Sequence, residues 1–279
     1  IDVDKDRAEG EAMDISHGAS FAGPMKIYAG GYEDVGDAAI IVITAGANQK
    51  PNETRLDLVQ KNAKIMTDVV TQIKEQEYKG ILLIVSNPVD IMTQVAMEVS
   101  GFPEYRVFGS GTVLDSARLR YHLGQHLGVD SRSVHAFVIG EHGDSEIAAW
   151  SSANVSGVPL NSFCEMRGHY NHEGNTESIE EQVKNSAYEI IAKKDATYYG
   201  IAMVVKRICQ AIVRDEKSIF PISLRMHGEY ALEDVVLSMP AIVGARGIET
   251  TIPISLDEKE VSRLHESAEM LRETRKEIR

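Results

Sequence analysis

Apolar positions along the chain fall into two alternating rhythms. Ala38 to Thr44 and Gly80 to Val85 are short runs, apolar on both faces, as strands buried inside a parallel sheet read. Between them, Leu56 to Gln76 places Val59, Ile65, Met66, Val69, Val70 and Ile73 on one stripe, which predicts an amphipathic helix. A helix is expected from about Asp90 through Met97, a short strand and a glycine-loosened turn over Arg106 to Thr112, and a helix over Leu114 to Leu127. Upstream, Ile1 to Asp4 reads as a strand end and Lys5 to Ser16 as a helix with Ala8, Met13 and Ile15 apolar. Lys26 to Ala29 reads as another short strand. Strand, helix, strand, helix with connections of this length implies a parallel sheet with right-handed crossovers. Ala136 to Ile139 is one more buried strand, and beyond it the rhythm changes. Short strands near Val155 to Leu160 and Ala241 to Ile252 mix with long helices near Ile179 to Ala192, Thr197 to Val213 and Asp257 to Ile278. The expected class is α/β over residues 1–109, followed by an α+β unit over residues 110–279.

Composition narrows the partners more than the fold. Hydrophobic residues at 43% and charged residues at 25% are ordinary for a globular chain of 279 residues, long enough for one or two cores. A net charge of −13 argues against a nucleic-acid or anionic membrane surface. A small anionic substrate stays open, because a local pair of arginines can override the global sign. Cys164 and Cys209 stand apart without metal-ligand spacing, so free thiols in a reducing compartment and no metal site are expected. No run reaches the ~18 apolar residues of a membrane span. The chain opens on Ile1 without a basic region, so no secretory signal is expected and the cytoplasm is the expected location.

The candidate chemistry centres on residues 134–145. A buried strand running into Gly140-Glu141-His142-Gly143-Asp144 puts an imidazole at a strand end with little bulk around it, where α/β enzymes keep reactive groups. Histidine, with an ordinary pKa near ~6.5, suits proton transfer at neutral pH. Further polar groups sit at strand ends or helix starts: Gln49 with Arg55, Asn87, and Asp115 with Arg118, the last two on one helical face. Each alone reads as surface or turn chemistry. Together they suit reduction of a 2-keto acid: a guanidinium fork for the carboxylate, a second arginine on the keto oxygen, and an aspartate-held histidine for the proton.

Gly140 to Ser145, Ser86-Asn87-Pro88-Val89-Asp90 and Leu114-Asp115-Ser116-Ala117-Arg118-Leu119-Arg120 resemble the L-lactate/malate dehydrogenase family, from Ile1 to the C-terminus. The resemblance implies a Rossmann-type NAD-binding domain at residues 1–109 and a substrate domain at 110–279. It implies that His142 exchanges the proton, that Asp115 orients it, that Arg118 clamps the substrate carboxylate, and that Arg55, on a closing loop, polarises the carbonyl. Asn87, Gln49 and Thr197 would contact substrate. Asp2 would hold the adenine ribose, with Arg7, Tyr32, Thr44, Ala45, Gly46, Val85 and Asn87 as the other cofactor positions. Malate-specific members place an arginine where this chain has Gln49, so pyruvate and lactate are the expected pair. Arg120 and His135 match positions that bind fructose 1,6-bisphosphate at a subunit interface, and a homotetramer is implied as well.

The chain departs from that pattern at one place: no Gly-x-Gly-x-x-Gly turn occurs in it. Against that pattern, roughly one βα unit, about 30 residues, is expected to be lacking ahead of Ile1. Poor NAD binding and marginal stability are therefore expected of the chain as it stands, which reads as an incomplete copy of a longer enzyme. A hydride-transferring oxidoreductase and a catalytically silent truncated subunit both remain open, with a malate or other 2-hydroxy acid dehydrogenase as a further alternative.

Overall fold

The structure, a computed structural model, describes residues 1–47 and 54–278, with Arg55 described by its backbone alone. Gln49 lies outside the described residues. One six-stranded sheet forms the spine. Three parallel strands, β1 (Ile40–Ile43), β2 (Ile81–Ile84) and β3 (Val107–Gly109), are linked by helices α2 (Arg55–Glu75) and α3 (Val89–Ser100). Helix α1 (Lys5–Gly18) precedes them, and α4 (Val113–Leu127) follows. Three antiparallel strands complete the sheet: β9 (Ser218–His227), β10 (Glu233–Gly244) and β11 (Gly247–Thr251), in the order β1-β2-β3-β9-β10-β11. The two halves join where Gly109 pairs with Ser223, a contact that leaves no room for a Cβ on Gly109. Four apolar residues in succession make β2 a strand buried on both faces, Ile81 to Ile84, with helices covering it.

Between the halves lie five two-residue strands: β4 (Val134–His135), β5 (Val138–Ile139), β6 (Ile147–Ala148), β7 (Asn154–Val155) and β8 (Val158–Pro159). Helices α5 (Leu160–Met166), α6 (His172–Lys194) and α7 (Tyr199–Val213) follow, and α8 (Glu258–Lys276) closes the chain. Helix starts are written in the sequence. Thr54 and Asp57 form a reciprocal cap on α2, and Asp257 and Glu260 form another on α8. Gly101 and Gly128, both left-handed, end α3 and α4. The main core packs the sheet against α2, α3, α7 and α8, while a second core gathers Leu119, Leu123 and Leu127 of α4 with Val134, Val138 and Val155. Among the described residues no helix is long and apolar enough to cross a membrane.

Several expected elements differ. Lys26 to Ala29 is not a strand: among the described residues no strand lies beside it to complete a ladder, and Ile27 instead takes the Ser16 hydroxyl. Ile1 to Asp4 is irregular, with Asp4 capping α1. Met13 and Ile15 of α1 are 60% and 58% exposed, while Ala8 is half-buried. Ala241 to Ile252 is a hairpin rather than one strand, turned at Gly247 with φ +105. Strand β9 was hidden by Pro221, which reads as a strand breaker. It stands directly opposite Pro240 in the ladder, where neither ring needs to offer the other an N–H.

Candidate active site

The loop that leaves β5 is fixed by its backbone before any side chain is considered. Gly140 exchanges both main-chain hydrogen bonds with Ser238 of β10, at 2.9 and 2.8 Å. The Glu141 N–H donates to Ser267 Oγ at 2.8 Å, and the His142 N–H to Asp90 Oδ2 at 2.7 Å. Three successive N–H groups are therefore received by three different elements, β10, α8 and α3. Gly140 has φ +84, and a Cβ there would lie 2.8 Å from Ile147 Cδ1 and 2.9 Å from Ser267 Oγ. Gly140→Ala is expected to cost about 1–3 kcal/mol in backbone strain alone. An unchanged urea midpoint in that variant would contradict this reading of the turn.

So held, His142 directs Nδ1 to Asp115 Oδ2 at 2.6 Å, and Arg118 Nη1 donates to Asp115 Oδ1 at 2.8 Å. Asp115 and Arg118 stand one turn apart at the start of α4, where Thr112 and Ser116 bind Val138 and tie the helix to β5. Burial favours a protonated Asp115, but His142 and Arg118 outweigh it and hold the carboxyl below its usual range. Burial also favours a neutral imidazole at His142. The charge and hydrogen bond of Asp115, helped by Asp90 and Glu146, outweigh that and raise the pKa to about 9. An ionised Asp115 can only accept, so Nδ1 carries a proton and Nε2 is left to exchange one. Glu146, buried beside this pair, is pushed up to about 8 by burial and by the charge of Asp115. Donor atoms of Asp115, His142 and Glu146 all lie within 4.8 Å, but Nδ1 and Oδ2 of that set already engage each other. The arrangement is one for moving a proton.

Parallel pairing sets Ile43 beside Ile84, so the carboxyl ends of β1 and β2 lie side by side. Thr44, Ala45 and Gly46 leave the first, and Val85 and Asn87 the second. Asn62 of α2 links them, accepting the Ala47 N–H at 2.8 Å and donating to Asn87 O at 3.0 Å. Asn87 precedes Pro88 through a cis peptide bond. Because Asp90 follows three residues later and binds the His142 backbone, this end of β2 abuts the histidine loop.

The other expected positions are more scattered. Asp2 and Arg7 line one shallow cleft with Ile15, Ile27 and Tyr28, and Tyr32 packs half-buried against the main core. Thr197 lies in the α6–α7 connection, near Gly200, which faces Leu114 at the start of α4. Arg120 donates to Ser116 O at 3.2 Å, His135 is exposed on β4, and no hydrogen bond or ion pair joins the two. Sequence reasoning placed Asp90 only as a helix start and in a family motif, and passed over Glu146, Ser223, Ser238, Ser267 and Asn62. The available signal was Asp90, a carboxylate inside the apolar run Val89 to Met92.

The family pattern of the lactate/malate dehydrogenase NAD binding domain matches residues 1–109, and that of its alpha/beta C-terminal domain matches residues 112–279. An L-lactate dehydrogenase of Acetivibrio thermocellus is 48% identical over 273 residues, 98% of this chain and 86% of the relative. A lactate dehydrogenase from a Medee basin deep-sea metagenome superposes with a TM-score of 0.95 at 46% identity, covering 99% of this chain and 88% of that one. The ligand-bound minor L-lactate dehydrogenase of Enterococcus mundtii gives a TM-score of 0.96 at 41% identity, covering 100% and 88%. With the Asp115–His142–Arg118 cluster at the meeting of the two matched regions, the chain belongs to the lactate/malate dehydrogenase family.

Proposed function

We propose that this chain is an NAD-dependent L-lactate dehydrogenase, an oxidoreductase interconverting pyruvate and (S)-lactate. The observation that carries the reading is the His142 imidazole, held at Nδ1 by Asp115 beside a guanidinium bound to the same carboxylate.

The residues present suit both ends of the dinucleotide. Asp2 is exposed and accepts the Asp4 N–H through Oδ1, and its carboxylate has further lone pairs to accept from ribose hydroxyls. At the other end lies Gly46, where an added Cβ would stand 3.6 Å from the Asn62 amide. Asp2, Arg7, Tyr32, Thr44, Ala45, Gly46, Val85 and Asn87 would hold NAD, whose nicotinamide supplies the hydride when bound. The protein's own part is binding, orientation and the proton. Arg118 retains N–H groups beyond the one given to Asp115, enough for a substrate carboxylate. His142 Nε2 donates its proton to the keto oxygen during reduction and takes it back during oxidation, while Asp115 keeps Nδ1 protonated and stabilises the imidazolium. Arg55 would polarise the carbonyl, and Gln49, Asn87 and Thr197 would complete the substrate pocket.

Four finer points belong to the same reading. The domains divide at 109/110, the protein is cytoplasmic, it assembles as a homotetramer, and Arg120 with His135 binds fructose 1,6-bisphosphate. The effector reading is supported by the packing of α4, which carries Arg120, against β4, which carries His135. The test is NADH oxidation with pyruvate and then oxaloacetate, each with and without the bisphosphate. Pyruvate-dependent turnover is expected, and a preference for oxaloacetate would overturn the assignment.

A further inference from the structure

We propose that Asp90 is a positioning residue for His142, holding the backbone of the histidine from behind while Asp115 holds its ring. Asp90 is 1% exposed, at the first turn of α3. Its Oδ2 accepts the His142 N–H at 2.7 Å, and its Oδ1 accepts Ser223 Oγ–H at 2.6 Å, with Ser238 Oγ at 3.4 Å. Ser223 and Ser238 are themselves fully buried, on β9 and β10. One carboxylate therefore joins α3, the β2 end that carries Asn87, both long antiparallel strands and the histidine loop.

A buried carboxylate with no cation is costly, and among the described residues no ion pair reaches Asp90. Tying these elements together needs only a neutral acceptor, so a structural role leaves the charge unexplained. Burial raises the Asp90 pKa to about 6 although the Ser223 hydroxyl and the His142 amide donors pull it down, and above that pH the group is an anion behind the imidazole. Asp115 from α4, Asp90 from α3 and Glu146 from the loop itself are the charged groups that act on His142. Asp90 alone among them also bonds to its main chain, so it fixes position and favours the imidazolium together.

The inference rests on the proposed dehydrogenase reading for its kinetic arm only. The experiment compares Asp90→Asn and Ser223→Ala with the parent protein by NMR titration of the His142 imidazole, by kcat and KM for pyruvate, and by thermal midpoint. Asparagine keeps an acceptor for the His142 N–H and removes the charge. It is expected to weaken proton binding at His142 by about tenfold and to lower kcat by about 10–100-fold with little change in KM. Ser223→Ala, which removes the shorter of the two hydroxyl bonds to Oδ1, is expected to lower kcat by about 3–10-fold. A lowered midpoint with His142 titration and kcat per folded molecule unchanged would overturn the proposal. Should Asp90→Asn not fold, parent-like titration and turnover in Ser223→Ala would overturn it equally. A parent protein inactive on pyruvate would count against the dehydrogenase reading, while the titration would still decide the part played by Asp90.

Discussion

Exchanging Asp115 for asparagine is expected to cut pyruvate reduction at neutral pH by about 10²–10⁴-fold, the range of general acid catalysis. It should also move the alkaline limb of kcat/KM from about pH 9 toward or below the ordinary imidazole value near ~6.5. The reasoning follows the sign of each contribution. Reduction needs the imidazolium, so activity is present below the His142 pKa and lost as pH rises through about 9. Lactate oxidation needs the neutral ring and rises over the same interval. Burial alone would set that value below ordinary histidine; Asp115 is the largest influence reversing it. An amide in its place removes the charge that favours the imidazolium and offers an N–H to Nδ1, favouring the Nε2–H tautomer, whose Nε2 cannot take up a proton. An alkaline limb that stays near pH 9 in the variant would contradict the assignment of His142 as the proton carrier.

The same pair has a consequence for stability. His142 has a folded pKa above its unfolded one, so its contribution is complete below about ~6.5 and is lost as pH rises through about 9. Asp90, raised to about 6, and Glu146, raised to about 8, also bind protons more tightly when folded. Their contributions too are present at low pH and lost as each ionises. The thermal midpoint is therefore expected to fall between pH 6 and pH 9, and Asp115→Asn should flatten the part of that fall due to His142. A parent midpoint that rises across this interval would contradict the shifts.

The sequence rendered some links of this chain of causes legible and left others hidden. Strands β1 and β2 and helices α2 and α4 were readable because periodicity reports burial directly, and the strand-end position of His142 followed from glycines next to an apolar run. Asp115 and Arg118 were visible as neighbours on one helical face. What periodicity cannot carry is contact between distant segments. Ser223 and Ser267 are small hydroxyls within otherwise ordinary elements, and only the sheet and α8 bring them to the histidine loop. Asp90 registered as a helix start, because local sequence cannot tell a solvated cap from a carboxylate sealed beneath a strand. In α1, Met13 and Ile15 gave an apolar signal yet lie exposed, since a pattern states which residues resist water and not which surface covers them.

Replacing Gln49 with arginine is expected to raise kcat/KM for oxaloacetate by about 10²–10³-fold and to depress it for pyruvate, reversing the preference between them. The argument starts from desolvation. Oxaloacetate carries a second carboxylate where pyruvate has a methyl group, and enclosing that charge without a partner costs several kcal/mol, roughly 1.4 kcal/mol for each factor of ten in rate. A glutamine amide offers hydrogen bonds but no counter-charge; a guanidinium offers both, in a fork that matches the carboxylate. With pyruvate the logic inverts, because the new cation is left facing a methyl group with its own desolvation unpaid. Gln49 precedes Arg55 by six positions, and Arg55 begins α2, so the stretch leads directly into a helix whose Asn62 is bound to Ala47 and Asn87. Asn62 thereby ties α2 to the residues that leave β1 and β2. The substitution is expected to alter selectivity, read as the ratio of the two kcat/KM values. Lys50 is the one other cation at hand in this stretch. If Gln49→Arg leaves the ratio of the two kcat/KM values untouched while Lys50→Gln changes it, the substrate-facing position is Lys50, and the preference for pyruvate needs a different cause.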